Sequence, residues 1–464
     1  MKIAFAASEA NPYAKTGGLA DVVGALPRAL IELGHEVDIF MPHYKDIKGR
    51  LIDQVKIKMI DEHMVDVFKL ENYYFIDHAD YFSRPGLYGT EKGDFPDNCE
   101  RFTLFDRAVA EIITRDSYDI VHCHDWQTGL IPLYLKISEH IIPSVFTIHN
   151  LGYQGRFPRS KYRFLDISDA YFTPEGIEYY GDFNILKAGI LYSNAVTTVS
   201  ENYAQEIQTP DLGFGLDGVL RARADGIKGI INGIDYGQWN PGTDDLIYQQ
   251  YTEYRGKQTN KQRLIDECCL LHDRPLIGMV SRIAEQKGFD ILMKAFDAIV
   301  DMGFNIIILG FGDEAYHKKL VTLANIYPRR VSVSIKFDNR LAHRIYAGSD
   351  FFLMPSRYEP CGLGQLISLK YGTVPIVRKT GGLADTIMDY DMVSAQGNGF
   401  SFTEHNCEHM LEAISRSMMV YNSDERFKAL SEKCMTFDFS WAKSAEKYAR
   451  LYESIRGTAG NNVD

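Results

Sequence analysis

Tryptophan and cysteine are scarce in this chain: three Trp and seven Cys in 464 residues. The cysteine count is odd and the spacing shows no framework, which excludes a disulfide-stapled scaffold and fits reduced thiols in a cytoplasmic protein. There is no run of basic residues. The net charge is −12, from 50 basic and 62 acidic side chains. Such a chain has no general affinity for nucleic acid or an anionic membrane, so any anion it binds must be met by a local cluster. No apolar stretch approaches the roughly 18 to 20 residues of a membrane span. The opening MKIAFAA is too short an apolar run for a signal peptide and ends at Ser8-Glu9, so it is predicted as a buried first strand. Low-complexity sequence is absent apart from the short polar tail, 457–464.

What is present is ordinary globular material, 45% hydrophobic and 24% charged, long enough for two or three domains. Apolar runs alternate with helical patterns in both halves. In the first half, strands are expected at 3–7, 36–41, 119–123, 144–148, 195–199 and 229–231. Period-2 alternation around Val55, Ile57, Val65 and Val67 predicts a short antiparallel insertion. The rhythm breaks near Trp239-Asn240-Pro241-Gly242, which marks an expected domain boundary after residue 242. Strands then follow at 276–280, 305–309, 331–335, 351–354 and 374–377. Alternation of this kind predicts two doubly wound α/β domains, 1–242 and 243–440.

Polar clusters fall where the strands end, which is where open α/β sheets keep their ligands. Lys15-Thr16-Gly17-Gly18-Leu19-Ala20-Asp21 follows the first strand, and the same heptapeptide returns at 379–385. Paired glycines before a helix expose backbone N–H groups to an anion, and Lys15 adds a full charge. Arg282 and Lys287 follow the 276–280 strand and suit a diphosphate, one as a planar fork and one as a compact charge. Gly362 and Gly364 precede an apolar helix, with Glu359 just before them. Gly310-x-Gly312-x-x-Ala315 mimics a dinucleotide fingerprint. Asp313 would place a carboxylate against the pyrophosphate, so a sharp β–α turn is the better reading. The pairs His122/His124 and Asp389/Asp391 lack further ligands at metal spacing, so no metal is expected.

Seven motifs occur in order: KTGGLADV at 15–22, HCHDW at 122–126, TIHNLGYQG at 147–155, NGID at 232–235, SRIAEQKG at 281–288, SRYEPCGLGQL at 356–366 and KTGGLADT at 379–386. Together they resemble the bacterial glycogen synthases and the related plant starch synthases over essentially the whole chain. The resemblance implies a GT-B glycosyltransferase, two Rossmann-like domains with an interdomain cleft, and a C-terminal helix, 441–456, packed on the N-terminal domain. It implies retaining transfer of glucose from ADP-glucose to the non-reducing 4-OH of an α-1,4-glucan, either glycogen or a malto-oligosaccharide, with no cofactor. Carried over by motif, His149, Arg282, Lys287 and Glu359 are the expected catalytic residues. Lys15, Gly17, Gly18, Asp21, Asp125, Asn150, Asn232, Cys361, Gly362, Leu363, Gly364 and Thr380 are expected on the donor, with Phe337 stacking on adenine and Tyr88 touching a glucose. Many relatives carry Thr where this chain has Gly364, which removes one hydroxyl contact to phosphate. Three other readings are a GT-B transferase using UDP-glucose or another acceptor, a catalytically silent α-glucan-binding protein, and an NAD-dependent oxidoreductase. The Asp313 carboxylate in the Gly310-x-Gly312 turn disfavours the last of these.

Overall fold

A computed structural model describes residues 1–140 and 142–460. The chain divides into two compact units, Met1–Gly233 with Trp441–Asp464, and Ile234–Ser440.

The first unit is built on a nine-stranded sheet. Its strands are β1 (Lys2–Ala6), β2 (Glu36–Pro42), β3 (Arg50–Lys58), β4 (Glu62–Leu70), β5 (Tyr73–Asp77), β8 (Ile120–His124), β9 (Ser144–Ile148), β13 (Ala195–Thr198) and β14 (Ile227–Gly229). The hairpin β6 (Gly89–Thr90) with β7 (Gly93–Asp94) lies outside that sheet, as does a small sheet of β10 (Arg156–Pro158), β11 (Glu178–Tyr179) and β12 (Asp182–Asn184). The order is β14-β13-β9-β8-β1-β2-β5-β4-β3. All pairs are parallel except β5–β4 and β4–β3. The alternating strands around residue 60 are the expected antiparallel insertion, placed in the chain between the paired strands β2 and β5, and they extend the main sheet at its edge. Charged residues on β3 and β4 keep that edge wet, while Ile3 to Ala7 at the centre are fully buried. The last strand lies at 227–229, two residues earlier than its apolar run suggested.

The helix Trp441–Gly460 belongs to this unit. It buries Trp441, Ala445, Tyr448, Leu451 and Tyr452. The Ser444 hydroxyl donates to the Ile231 carbonyl at 2.6 Å, and the Tyr452 hydroxyl lies 2.7 Å from Nδ1 of His122 on β8.

The second unit holds six parallel strands, β15 (Leu276–Val280), β16 (Asn305–Gly310), β17 (Val331–Ile335), β18 (Phe351–Met354), β19 (Val374–Arg378) and β20 (Phe400–Phe402), in the order β17-β16-β15-β18-β19-β20. It begins at Ile234 rather than at 243. The turn-rich stretch that suggested the boundary is packed down on this unit. Trp239 stacks on His343 with ring centroids 3.9 Å apart. Asp244 lies 2.7 Å from Nδ1 of His343 and accepts from the Tyr371 hydroxyl at 2.5 Å. The Tyr251 hydroxyl donates to the Tyr371 carbonyl at 2.7 Å. Buried aromatic and ionic anchors outweigh the Pro–Gly signal here. Among the described residues, no helix is long and apolar enough to cross a membrane.

Among the parallel strands the order reverses between β1 and β8 in the first sheet and between β15 and β18 in the second; the antiparallel β5-β4-β3 edge adds a further reversal in the first. Diverging connections leave a crevice at such a point, beyond the carboxyl ends of the strands. Lys15, Asp125, Arg282 and Glu359 all follow those four strands.

Candidate active site

In the first unit, the turn after β1 leads into the helix Gly18–Glu32. A side-chain carbon added at Gly17 or Gly18 would meet nothing within 4 Å, so the turn presents bare backbone. Lys15 is exposed and pairs with Asp21 at 2.6 Å. The surroundings hold a residue that motif reading passed over. Glu9, only 4% exposed, accepts from the Thr16 amide and the Thr16 hydroxyl, each at 2.5 Å, and from the Gly17 amide at 3.2 Å. It also accepts from the Tyr88 hydroxyl at 2.6 Å. Part of the anion cradle is therefore filled by the protein's own carboxylate. Glu9 braces the turn, which leaves the glycine face open and Lys15 held by Asp21. A lone glutamate in a loop gives no sequence signal, and only its spacing from Thr16 could have suggested a bracing role.

Tyr88, assigned to a glucose contact, has its hydroxyl engaged by Ser8 at 2.7 Å and by Glu9. Its hydroxyl is thus part of the brace behind the Lys15 turn.

After β8, Asp125 adopts a left-handed backbone, φ 58°. Its carboxylate accepts from the His149 amide at 2.7 Å, which ties the β8 and β9 loops together. Burial pushes the Asp125 carboxyl up to about 7, against backbone hydrogen bonds from His149 and Asn150 that lower it, and the negative charge of Glu9 raises it further. Burial pushes His149 down to about 3, so it is a neutral imidazole at physiological pH. His149 Nε2 lies 2.9 Å from His124 Nδ1. His122 lies behind, its ring centroid 4.1 Å from that of His124, and bridges the Tyr452 hydroxyl and the Thr147 hydroxyl. The HCHDW motif thus supports the His149 loop from below. Asn150 Oδ1 accepts from Gly152 N–H at 3.0 Å. Asn232 is buried, with Oδ1 unpaired, an acceptor that a sugar hydroxyl would satisfy.

In the second unit a pocket of about 160 Å³ gathers Arg282, Lys287, Glu359, Gly362, Leu363 and Gly364 at the β15/β18 reversal. Lys287 Nζ lies 2.6 Å from Glu359 Oε2, which also accepts from the Ser356 hydroxyl at 3.0 Å. Arg282 is exposed and donates to Gln286 Oε1 at 3.0 Å. The Gly310-x-Gly312 turn carries the Arg282 loop: Ile283 N–H donates to Phe311 O at 2.9 Å, and Asp313 N–H to Ile283 O at 2.8 Å. Cys361 is buried beside the pocket rather than lining it. Phe337 stands 89% exposed after β17 and also lies outside the pocket lining. At Gly364 an added Cβ would come within 2.9 Å of the Phe352 ring and 3.3 Å of the Tyr346 hydroxyl. Those rings take up the room that a threonine would need.

The second copy of the heptapeptide is packed differently from the first. Thr380, Gly381 and Gly382 are buried. Gly381 has φ +43°, and a Cβ there would lie 2.0 Å from the Glu359 carbonyl oxygen. At Gly382 it would lie 2.1 Å from the Cys361 carbonyl oxygen. Gly382 N–H donates to the Glu359 and Pro360 carbonyls at 3.1 Å. The turn that follows Thr380 thus clamps the backbone beneath Glu359. Among the described residues, no group of three or more His, Cys, Asp or Glu stands where it could hold a metal.

Two family models cover most of the chain. Residues 2–222 match the starch synthase catalytic domain and 262–433 match glycosyl transferases group 1. The chain is 45% identical over 479 residues to the glycogen synthase of Koribacter versatilis, covering 98% of each chain. The chain belongs to the glycogen and starch synthase family. A second relative, the glycogen synthase of Geotalea daltonii, is 45% identical over 483 residues, covering 99% of this chain and all of that one. Among solved structures, the catalytic domain of starch synthase IV from Arabidopsis thaliana, bound to ADP and acarbose, matches with a TM-score of 0.88 and 32% identity, over 98% of this chain and 99% of that one. The fold is accordingly the two-domain GT-B fold, and the protein is a glycosyltransferase.

Proposed function

We propose that this family member transfers glucose from ADP-glucose to the non-reducing 4-OH of an α-1,4-glucan, glycogen or a malto-oligosaccharide, with retention and without a metal or other cofactor. The observation that carries this reading is the paired Lys287–Glu359 group beside Arg282 at the β15/β18 reversal. It sets two cations next to one carboxylate, as a bound nucleotide sugar requires. The bound ADP and acarbose of the Arabidopsis relative support both halves of the assignment.

Breaking the bond between the anomeric carbon and the distal phosphate builds negative charge on ADP and positive character on the sugar. Arg282 and Lys287, both in the second unit, stabilise the first. Within the second unit Glu359 positions the sugar; on the first unit the neutral His149, Asp125 and Asn232 are the residues assigned to the sugar side. A retaining double displacement needs a carboxylate nucleophile and a partner acid about 5 to 5.5 Å apart. Glu359 is already engaged by Lys287 and Ser356. Front-face attack follows, with the departing phosphate taking the acceptor proton. Mass spectrometry after a rapid quench should find no glucosyl-enzyme adduct, and a trapped adduct would sink the front-face route. The donor is tested by initial rates of nucleotide release with ADP-glucose and UDP-glucose at equal concentration. Faster release from UDP-glucose would overturn the donor assignment. All seven cysteines are free thiols, which supports a cytoplasmic location.

A further inference from the structure

Three large aromatic side chains stand out from the first unit on three separate loops. Tyr153 is 52% exposed, Tyr180 78% and Phe214 39%. Tyr153 follows the His149 loop, Tyr180 sits in the turn between β11 and β12, and Phe214 precedes the helix Asp217–Arg221. The loops are lashed around one carbonyl. The Tyr179 hydroxyl donates to Phe214 O at 2.9 Å and Gln154 Nε2 donates to the same oxygen at 3.1 Å. Asn184 Nδ2 holds Gln154 Oε1 at 2.7 Å.

Two of the three aromatics sit where local preference opposes them. Tyr180 has φ +51° and Phe214 φ +46°, a region that bulky residues seldom adopt. Tyr180-Gly181 occupies a hairpin turn in which Asn-Gly or Gly-Gly would be unstrained. The Tyr180 ring meets the Tyr179 ring edge-on, with centroids 4.8 Å apart, yet most of its surface stays open; a bulky ring kept at a strained position points to a task beyond that contact.

We propose that Tyr180 and Phe214, with Tyr153, form a stacking platform for the outer residues of a glucan acceptor chain. The proposal rests on the transferase reading above. The choice of a neutral polysaccharide comes from charge and continuity. The rim is neutralised, with Arg156 bound to Asp182 at 2.7 Å and lying 5.5 Å from the Tyr179 ring centroid. The platform also continues the sugar-side loop, since Tyr153 N–H donates to Asn150 O at 3.2 Å. Flat aromatic faces take the C–H faces of glucose units and leave the sugar hydroxyls in water.

The test uses Tyr180→Gly and Phe214→Gly in one chain. Glycine adopts both backbone angles without strain, and the Phe214 carbonyl that ties the loops remains. Melting temperature and circular dichroism check the fold. In native gels cast with glycogen, the wild-type chain is retarded and the double variant runs freely. With ADP-glucose, its KM for glycogen rises roughly tenfold, the loss of two aromatic contacts, while kcat and KM for maltotriose stay at wild-type values. The pair Tyr180→Phe with Phe214→Tyr restores retardation. Unchanged retardation by glycogen overturns the proposal and leaves the patch to a protein partner. An equal loss on maltotriose and glycogen also overturns it, by placing the rings in the transfer site. A wild-type chain that elongates neither acceptor refutes the transferase reading, and the retardation assay then decides the platform by itself.

Discussion

The two copies of KTGGLAD offer a direct contrast in what a glycine is for. Gly381→Ala places a methyl 2.0 Å from the Glu359 carbonyl oxygen and 3.1 Å from that of Pro360, on a backbone with φ +43°. Left-handed backbone costs an L residue about 1–2 kcal/mol. Forcing a methyl into a close-packed interior costs about 1–3 kcal/mol more, for a total of about 2–5 kcal/mol. Gly17→Ala meets no atom within 4 Å, and its φ of −150° suits any residue. Its stability should stay within about 0.5 kcal/mol of wild type. Urea unfolding followed by circular dichroism measures both. Activity should separate them further. The Gly381 variant shifts the segment that bears Glu359 and so loses kcat. The Gly17 variant keeps the fold but raises the donor KM by crowding the open face. Equal stability losses in the two variants would refute the reasoning, because the two turns would then play the same structural part.

Three further outcomes follow from the site. Lys287→Ala should lower kcat about 10²–10³-fold, the usual loss for a preorganised group stabilising charge in the transition state, read from ADP release at saturating donor. Glu9→Ala leaves the Thr16 amide, the Thr16 hydroxyl and the Tyr88 hydroxyl without their carboxylate. It should cost about 1–3 kcal/mol in urea unfolding and raise the donor KM, with Glu9→Gln recovering part of both. Asp125, pushed up to about 7, holds a proton in the folded chain that the unfolded chain releases near its ordinary value. Its contribution is therefore complete at low pH and is lost as pH rises toward and through about 7. Asp125→Asn should gain stability relative to wild type as pH rises through that window and level off above it; a difference independent of pH would contradict the assignment.

Much of the fold was legible because buried parallel strands are continuous apolar runs. Leu276–Val280 and Val331–Ile335 fall where their runs do. The strand-end rule also located Arg282, Lys287 and Glu359, which the fold brings into one pocket. What was not legible depends on long-range packing. The stretch around Trp239 reads as a domain boundary until His343 and Tyr371 meet it. The second heptapeptide matches the first in every residue, yet Glu359 and Cys361 press on its glycines. Glu9 shows its role only once Thr16 and Tyr88 surround it. Tyr452 reaches His122 across 330 residues of sequence, a contact that no local pattern encodes.

The central claim is glucose transfer onto an α-1,4-glucan through Arg282, Lys287 and Glu359. Incubation of the wild-type chain and Glu359→Ala with labelled ADP-glucose and maltotriose, followed by product sizing and digestion with an α-1,4-specific glucosidase, tests it most directly. The expected result is labelled maltotetraose and longer chains from wild type, fully digested by the glucosidase, and almost none from the variant. Absence of labelled oligomers from wild type, with glycogen failing as an acceptor too, would contradict the account.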